Sequence, residues 1–348
     1  MVTIAQVRQS NAQLTADTVP RTAVFVGGTS GIGKLTLIEL VSLGFPVKAY
    51  VVGRKATEAA TRPLLEDLRR RNPSAELVWV EGEVSLLSET SRICEWIKAR
   101  ESRLDFLCLT AGYAPFGGRN NTAEGLDVTH ALEYYGRMLF TLHLLPLLRA
   151  APAARVLTVL AGSMLRGGGA GGLLLDDLNL EGPGAFGGAR TQTHMAVMNT
   201  LFLDRLSAEP GNEGAVTFVH NWPGAVNTGN MARYHAPSLW SPIPLTALLR
   251  PLFLVVGFSE KEAGERHLYV ATSREIGGGG GDGLRATDGG EAKGGGRRNT
   301  RGQEGRRGLF LVNHKCEAVD KSEIMTELRG EAQGKVWDKT MEILGPYL

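Results

Sequence analysis

The fold is decided by three consecutive segments: Thr22-Ala-Val-Phe-Val26, Gly27-Gly-Thr-Ser-Gly31-Ile-Gly33 and Lys34-Leu-Thr-Leu-Ile-Glu-Leu-Val-Ser-Leu43. The first is apolar and rich in β-branched residues, which predicts a buried strand, and the third has the apolar pattern of a helix. Between them the glycines are spaced G-x-x-x-G-x-G. Such a turn lets the backbone bend tightly and aims the first N–H groups of the helix at a phosphate. The stretch therefore predicts a strand, a phosphate-binding turn and a helix.

Strands and helices alternate along most of the chain on both sides of this stretch. Alternation at about 30 residues per unit is typical of parallel strands joined by crossover helices. We therefore predict an α/β fold, a Rossmann-type doubly wound parallel sheet with crossover helices and an apolar substrate lid. Apolar runs predict strands at 22–26, 47–52, 76–80, 104–109, 156–160, 215–220 and 309–312, and helical patterns lie near 34–43, 64–71, 89–100, 122–149, 191–208, 260–272 and 335–344.

Composition divides the chain into a body and an inserted segment. Of its 348 residues, 45 are glycine, and 14 of these lie between Gly277 and Gly308 together with seven of the 38 Lys and Arg residues. The segment also has four Asp and Glu residues, so its net charge is +3, whereas the whole chain has a formal net charge of +2 and the remainder therefore −1. The basic character of the chain belongs to this segment. We predict an N-terminal extension over 1–20, a Rossmann-type domain over 21–276 with its lid at about 229–258, a flexible glycine-rich insertion over 277–308, and the domain's last strand and terminal helix over 309–348.

The same composition excludes several functional classes. A near-neutral body offers no electrostatic footprint for nucleic acid. The three widely spaced cysteines, Cys94, Cys108 and Cys316, suggest neither a disulfide framework nor a metal site. No signal peptide or membrane-spanning stretch is recognisable. We expect a cytoplasmic protein whose partner is a small apolar molecule and which can also form a homo-oligomer.

Further motifs make the sequence resemble the short-chain dehydrogenase/reductase family. Leu109-Thr-Ala-Gly112 is similar to the family's Asn-Asn-Ala-Gly, and Pro223-Gly-Ala-Val-Asn-Thr228 to its Pro-Gly-x-Val-x-Thr loop. The segment 176–181, Asp-Asp-Leu-Asn-Leu-Glu, resembles the retinol-dehydrogenase-like branch, and the overall style is similar to reductases of fungal secondary-metabolite clusters. The resemblance implies cofactor contacts from Gly27, Thr29, Ser30, Gly31, Ile32, Gly33, Arg54, Glu83, Ala111, Gly112, Pro223, Gly224, Val226 and Thr228.

The residues after the second strand indicate which cofactor is used. Family members that bind NAD place an acid there to bind the ribose hydroxyls. This chain has Arg54 and Lys55 instead, and two cations favour a 2′-phosphate, so we predict NADP(H). The competing interpretation is that the two cations form a solvated loop pair. Glu83 replaces the aspartate that the family uses near adenine.

The resemblance breaks down at the family's catalytic Tyr-x-x-x-Lys, whose tyrosine exchanges a proton with the substrate oxygen. No tyrosine lies between Tyr135 and Tyr234, and no lysine between Lys98 and Lys261. The cofactor cradle is thus largely present without the standard acid. In the helix that should carry the pair, its positions fall on Thr191 and Met195 or, one residue later, on Gln192 and Ala196.

Four residues are candidates for the catalytic roles. Ser163 lies two residues beyond the usual serine position, where a local bulge would restore it, and Glu133 takes the place of the family's asparagine. A buried Glu133 would be a carboxylic acid with a raised pKa. Tyr134, or its neighbour Tyr135, would offer a phenol, and His194 an imidazole that titrates near neutrality. For the tyrosines the alternative is a place in the core, for His194 it is a place on the surface or a satisfied place in the core, and for Glu133 it is solvation.

Three functions follow from these residues. The first is an NADP(H)-dependent oxidoreductase with an altered proton donor, acting on an apolar carbonyl or hydroxyl compound in secondary metabolism. The second is a cyclase, isomerase or dehydratase on the same fold, which explains the lost Tyr/Lys pair and turns over without NADPH. The third is a non-catalytic NADP-binding protein. Fold alone does not choose among them.

Overall fold

A computed structural model of the chain describes residues 2–112, 117–160, 165, 167–224, 258–277 and 297–348. Its centre is a seven-stranded sheet in the order β3-β2-β1-β4-β5-β6-β7, in which every neighbouring pair is parallel. This confirms the predicted doubly wound α/β fold. The strands are β1 (Thr22–Val26), β2 (Val47–Gly53), β3 (Ala75–Glu81), β4 (Phe106–Leu109), β5 (Ala154–Val159), β6 (Val216–Asn221) and β7 (Leu309–Val312).

Helices cover both faces of the sheet, and this explains why its two central strands, β1 and β4, are almost wholly apolar. In β1, Val24 and Val26 belong to the core on one face, and Ala23 and Phe25 to the core on the other. No helix among the described residues is long and apolar enough to cross a membrane. The helices are α1 (Ile4–Ala12), α2 (Gly31–Ser42), α3 (Lys55–Arg71), α4 (Leu87–Lys98), α5 (Val128–His130), α6 (Gly136–Arg149), α7 (Gly188–Ala208), α8 (Glu260–Thr272), α9 (Ser322–Leu328) and α10 (Gly334–Leu344).

The long helix predicted from residue 122 begins later and is interrupted. Asp127 caps its first turn, α5, by accepting from the N–H groups of Thr129 and His130. The next turn, Ala131–Tyr135, has π-helical hydrogen bonding before α6 continues to Arg149. Single π turns inside helices often occur at functional sites. The predicted element is therefore real, but its start was placed about six residues too early.

The predicted N-terminal extension contains a helix that packs on the body. Thr3 and Gln6 form a capping box at the start of α1. On α8, the Glu265 carboxylate pairs with Arg8 at 3.0 Å, and the Glu265 carbonyl accepts from Asn11 at 2.9 Å. These contacts attach α1 to the same face of the sheet as α8.

The prediction of a flexible insertion over 277–308 is wrong for its last 12 residues. Arg307 donates to the main-chain carbonyls of Ala215 and Pro152, and Thr300 and Arg301 both donate to Asp204 on α7. Residues 297–308 are therefore packed against the body. The rest of the predicted insertion beyond Gly277, and the predicted lid apart from Phe258, lie outside the described residues.

Asp204 is the centre of a buried polar cluster that joins α7 to the C-terminal part of the chain. Its side chain is completely buried. Arg329 donates to both carboxylate oxygens at 2.9 Å, and Arg301 and Gln333 add bonds of 3.1 and 3.0 Å. Burial alone would raise the Asp204 pKa, but the hydrogen bonds and charge of Arg329 outweigh it and hold that pKa below its usual range.

Candidate active site

A cavity of about 1140 Å³ opens at the carboxyl ends of the central strands. This is the edge of an open α/β sheet at which ligands bind. Of the residues predicted for the cofactor, it is lined by Gly27, Thr29, Ser30, Gly31, Ile32, Arg54, Glu83, Ala111, Gly112, Pro223 and Gly224. Gly33 lies beside the cavity, and Val226, Thr228 and Ser163 lie outside the described residues.

Two of the cradle glycines are required by close packing. A Cβ at Gly27, which has φ +100°, would lie 2.5 Å from the Ala111 nitrogen. A Cβ at Gly33 would lie 2.5 Å from Thr110 Oγ1 and 2.7 Å from the Gly27 carbonyl oxygen. The turn after β1 therefore presses against the end of β4, leaving open the space where a phosphate would contact the first N–H groups of α2. This geometry fits a dinucleotide.

The two cations after β2 have different surroundings. Lys55 is 74% exposed and pairs with Glu58 at 2.8 Å and Glu81 at 3.3 Å. Arg54 lines the cavity and forms no ion pair with any residue that the structure describes. Of these two residues, only Arg54 both lines the cavity and has a charge that is available to an anionic group. The prediction of two phosphate-binding cations is thereby narrowed to Arg54.

Glu83 follows Gly82, whose N–H donates to the Gly53 carbonyl at 3.0 Å, so it lies near Arg54. Its Oε1 accepts a hydrogen bond of 2.9 Å from the Ser85 hydroxyl, and both residues line the cavity. A carboxylate held in this way can accept a hydrogen bond from a ligand on its remaining lone pairs. The cofactor role of Glu83 stays a prediction.

The π turn places Glu133 at the other end of the cavity. The backbone of this turn depends on Gly136, whose N–H donates to the main-chain carbonyl of Ala131. A Cβ at Gly136 would lie 2.8 Å from the Ala131 carbonyl oxygen. Glu133 is only 4% exposed, yet it lines the cavity. Gln192 Nε2 donates to its Oε2 at 2.8 Å, and Asn199 Nδ2 donates to its main-chain carbonyl at 2.8 Å. Glu133 is therefore fixed from α7 through both its side chain and its backbone.

Arg137, one turn after Glu133, holds this end of the cavity together. Its buried guanidinium donates to Thr158 Oγ1 at 2.7 Å, to the Val159 carbonyl at 3.0 Å and to the Ala111 carbonyl at 2.8 Å. Burial lowers the Arg137 pKa to about 10, although the charges of Glu133 and Cys108 oppose that shift. Arg137 thus stays protonated at neutral pH and ties the carboxyl ends of β4 and β5 to the π turn.

The structure places the predicted phenol donors in the core. Tyr134 is completely buried, shares a hydrogen bond with Thr340 on α10, and does not line the cavity. Tyr135 donates to Asn179 at 2.6 Å and is equally buried. Burial raises the pKa of both phenols. This geometry gives neither of them access to a bound substrate, so we do not retain Tyr134 as a catalytic candidate.

His194 also has a structural place. The Leu174 N–H donates to its Nε2 at 3.1 Å, so Nδ1 carries the hydrogen and faces the Leu178 carbonyl at 3.4 Å. The side chain is fully buried and does not line the cavity. Burial lowers the His194 pKa to about 4. His194 is thus a neutral ring that bridges a loop, and we do not retain it as an acid or base.

We expect nuclear magnetic resonance to show His194 as the Nδ1–H tautomer throughout the neutral range. Because its pKa is about 4, its ring signals should not shift as pH falls through 6.5, where an exposed histidine titrates. A histidine in an unstructured peptide, measured under the same conditions, is the exposed reference. A midpoint near 6.5 for His194 would show that it is accessible and would restore it as a candidate.

The structure also resolves the register of α7. Gln192 lines the cavity, whereas Thr191 is buried and its Oγ1 accepts from the Gly187 N–H. The positions of the family's Tyr/Lys pair therefore fall on Gln192 and Ala196. Sequence reasoning did not assign a role to Gln192 or to Arg137. The register of α7 could have pointed to Gln192. The four-residue spacing of Arg137 from Glu133, which puts both on one helix face, could have pointed to Arg137.

Comparisons with known proteins agree with this architecture. The family model described as short chain dehydrogenase matches residues 21–169. Oxidoreductase AN1596 of Emericella nidulans is 33% identical over 351 residues, which cover 99% of this chain and 98% of that protein. Human dehydrogenase/reductase SDR family member 13 is 29% identical over 74% of this chain and 63% of its own length.

A solved structure, NADPH-bound carbonyl reductase from chicken fatty liver, superposes with a TM-score of 0.52 at 17% identity, covering 86% of this chain and 98% of that one. At this identity the likeness shows the fold alone. The full-length relative shows more: the chain belongs to the short-chain dehydrogenase/reductase family of oxidoreductases.

Proposed function

We propose that the protein is an NADP(H)-dependent oxidoreductase that interconverts a carbonyl and a hydroxyl group on an apolar small molecule. The observation that carries this proposal is a cavity that has the glycine cradle and Arg54 at one end and Glu133 with Gln192 at the other. The first end suits a dinucleotide with a 2′-phosphate. The second offers polar groups where a reacting oxygen needs them.

The apolar character of the substrate is inferred from the wall around Glu133. Val128, Leu132 and Leu160 contribute aliphatic surface, and Gly188 and Ala189 leave room beside it. Pockets that are mostly apolar with a few polar groups bind largely apolar ligands and orient them by those groups. The wall thus favours a substrate with one polar group facing Glu133 and Gln192.

A structure of the same fold and a sequence relative support the cofactor and the reaction class. The chicken enzyme of the same fold is a carbonyl reductase with bound NADPH, and the Emericella relative is named an oxidoreductase. When bound, NADPH would supply a hydride. The cofactor itself would be held by Gly27, Gly31, Gly33 and Arg54. A role in secondary-metabolite biosynthesis and a cytoplasmic location stay predictions from the sequence.

Deuterium transfer tests the redox reaction on many candidate substrates at once. The purified protein is incubated with NADPH carrying deuterium at the transferable position of its nicotinamide and with a mixture of apolar aldehydes and ketones. We expect at least one alcohol product that is one mass unit heavier than the product made with unlabelled NADPH. Consumption of a carbonyl compound without deuterium in the product would contradict hydride transfer.

A second candidate, a non-redox isomerase or dehydratase, is favoured by one observation. The catalytic tyrosine and lysine positions hold Gln192 and Ala196, while a carboxyl group, Glu133, lies in the cavity. A carboxyl group can move a proton without any redox cofactor. Turnover of a hydroxylated apolar compound that persists after all NADPH is removed would support this candidate against the first.

A further inference from the structure

We propose that Gln192 is the residue that binds the reacting oxygen of the substrate, with its side-chain amide donating a hydrogen bond where the family's tyrosine donates a proton. This inference rests on the proposed function and adds a catalytic residue to it. It replaces a proton donor by a fixed hydrogen-bond donor, which explains how a site with Gln192 at the family's tyrosine position can still stabilise a developing alkoxide.

The orientation of the Gln192 amide is set by Glu133. A carboxyl oxygen accepts the hydrogen bond of 2.8 Å, so the amide nitrogen, and not its oxygen, faces Glu133. An amide nitrogen carries two hydrogens. Within the part of the chain that the structure describes, Glu133 takes one and no other protein group takes the second. Because Gln192 lines the cavity, that second hydrogen is available to a bound ligand.

Glu133 can orient the amide because it is itself held on several sides. Its main-chain carbonyl accepts from Asn199 at 2.8 Å, and Asn199 is anchored by a further bond of 2.7 Å to the Met195 carbonyl. Arg137, whose charge acts on Glu133, is tied to β5 through Thr158 and Val159. A donor preorganised in this way stabilises charge without rearranging during the reaction. Glu133 is thus a positioning residue that acts through Gln192.

Arg137, a second donor beside Glu133, is occupied. Its bonds to Leu132, Thr158, Val159 and Ala111 use four of the five N–H groups of a guanidinium. These acceptors belong to the framework of the cavity. Arg137 therefore shapes this end of the cavity, and Gln192 is the neutral donor that faces the ligand.

The reaction balances without a tyrosine. In the reductive direction bound NADPH would supply the hydride for the new C–H bond, and the π electrons of the carbonyl would move onto its oxygen. The Gln192 N–H stabilises the alkoxide by a hydrogen bond but keeps its proton. The alkoxide then takes a proton from water, and the hydroxide so formed is neutralised by the buffer. NADPH, one proton and the carbonyl compound give NADP⁺ and the alcohol.

The experiment compares Gln192→Ala with wild type in NADPH-dependent reduction of a panel consisting of an aromatic aldehyde, an aliphatic methyl ketone and an ortho-quinone. Removing one donor to an oxyanion lowers kcat by about 100-fold, and we expect a loss of this size. The Kd for NADPH, measured by titration, should not change. The matched control is Thr193→Ala, because the Thr193 hydroxyl is bonded within the exposed face of α7 to Ala189.

Gln192→Glu separates this role from a merely structural one. The introduced carboxyl faces Glu133, and two adjacent carboxyls hold one proton between them. That variant should act only while the shared proton is present, so its kcat should fall as pH rises, along a limb that the wild-type profile lacks. A structural role for Gln192 would change the melting temperature without creating this limb.

The outcomes separate this inference from the proposed function. If wild type binds NADPH and reduces a probe, but Gln192→Ala reduces it equally fast, the role of Gln192 is overturned and the oxidoreductase stands. If wild type binds NADPH but reduces no member of the panel, the role of Gln192 is overturned as well. If wild type binds no NADPH, the proposed function itself fails.

Discussion

Replacing Arg54 with alanine is expected to weaken NADPH binding by roughly 10- to 100-fold while leaving NADH binding nearly unchanged. Arg54 lines the cavity and has no ion-pair partner among the described residues, so its charge is available to a 2′-phosphate. A hydrogen bond to a charged group contributes about 1.5–3 kcal/mol, which corresponds to this range. Calorimetric titration of wild type and variant with both nucleotides measures the effect.

Lys55→Ala is the matched control for this substitution. Lys55 is the next residue and carries the same charge, but Glu58 and Glu81 already pair with it. It is also 74% exposed, so solvent screens its charge. We expect its removal to change NADPH affinity by much less than removal of Arg54. Equal losses in the two variants would show that general positive charge, and not the position of Arg54, selects the cofactor.

Replacing Asp204 with alanine is expected to lower the free energy of unfolding by about 3–5 kcal/mol. The substitution would leave Arg329 and Arg301 without their shared counter-charge, and would remove the acceptor of Gln333 and Thr300. The side chains of Arg329 and Arg301 are only 21% and 33% exposed, so each would keep a desolvation cost without its partner. Chemical denaturation followed by circular dichroism measures the change.

Glu209→Ala provides the control, because Glu209 is 41% exposed and pairs with Arg205 at 3.6 Å on the surface of the same region. Such pairs contribute under about 1 kcal/mol. If Asp204→Ala costs no more than Glu209→Ala, the buried cluster does not attach the C-terminal segment as described.

The buried cluster around Asp204 also predicts that the protein is sensitive to acid. Since folding lowers the Asp204 pKa, its stabilisation is complete above the unfolded value of about 3.9 and is lost as pH falls below it.

The sheet could be predicted from the sequence because most of its strands contain a short stretch rich in apolar residues between turns. Strands buried on both faces have this pattern, and the order of motifs around Gly27 then determined the type of fold. The N-terminal helix was not predicted, although Thr3 and Gln6 have the spacing of a capping box; its packing on the body involves a distant partner, Glu265. The packing of residues 297–308 was missed because its partner Asp204 is distant along the chain.

The candidate site was predictable where a local motif carries it and not where distant elements meet. The glycine cradle and Arg54 follow β1 and β2 directly, and the structure brings them into one cavity. Glu133 and Gln192 come from separate helical segments, and only the fold shows that they bond. His194 and Tyr134 have suitable chemistry in sequence, but burial and their hydrogen-bond partners remove them from the cavity.

Titration of folded wild-type protein with NADPH tests the central claim most directly. The account predicts saturable binding of one NADPH per chain, with NADH bound more weakly because it has no 2′-phosphate for Arg54 to bind. Circular dichroism on the same sample establishes that the protein is folded. Binding of neither nucleotide by that folded sample would contradict the account.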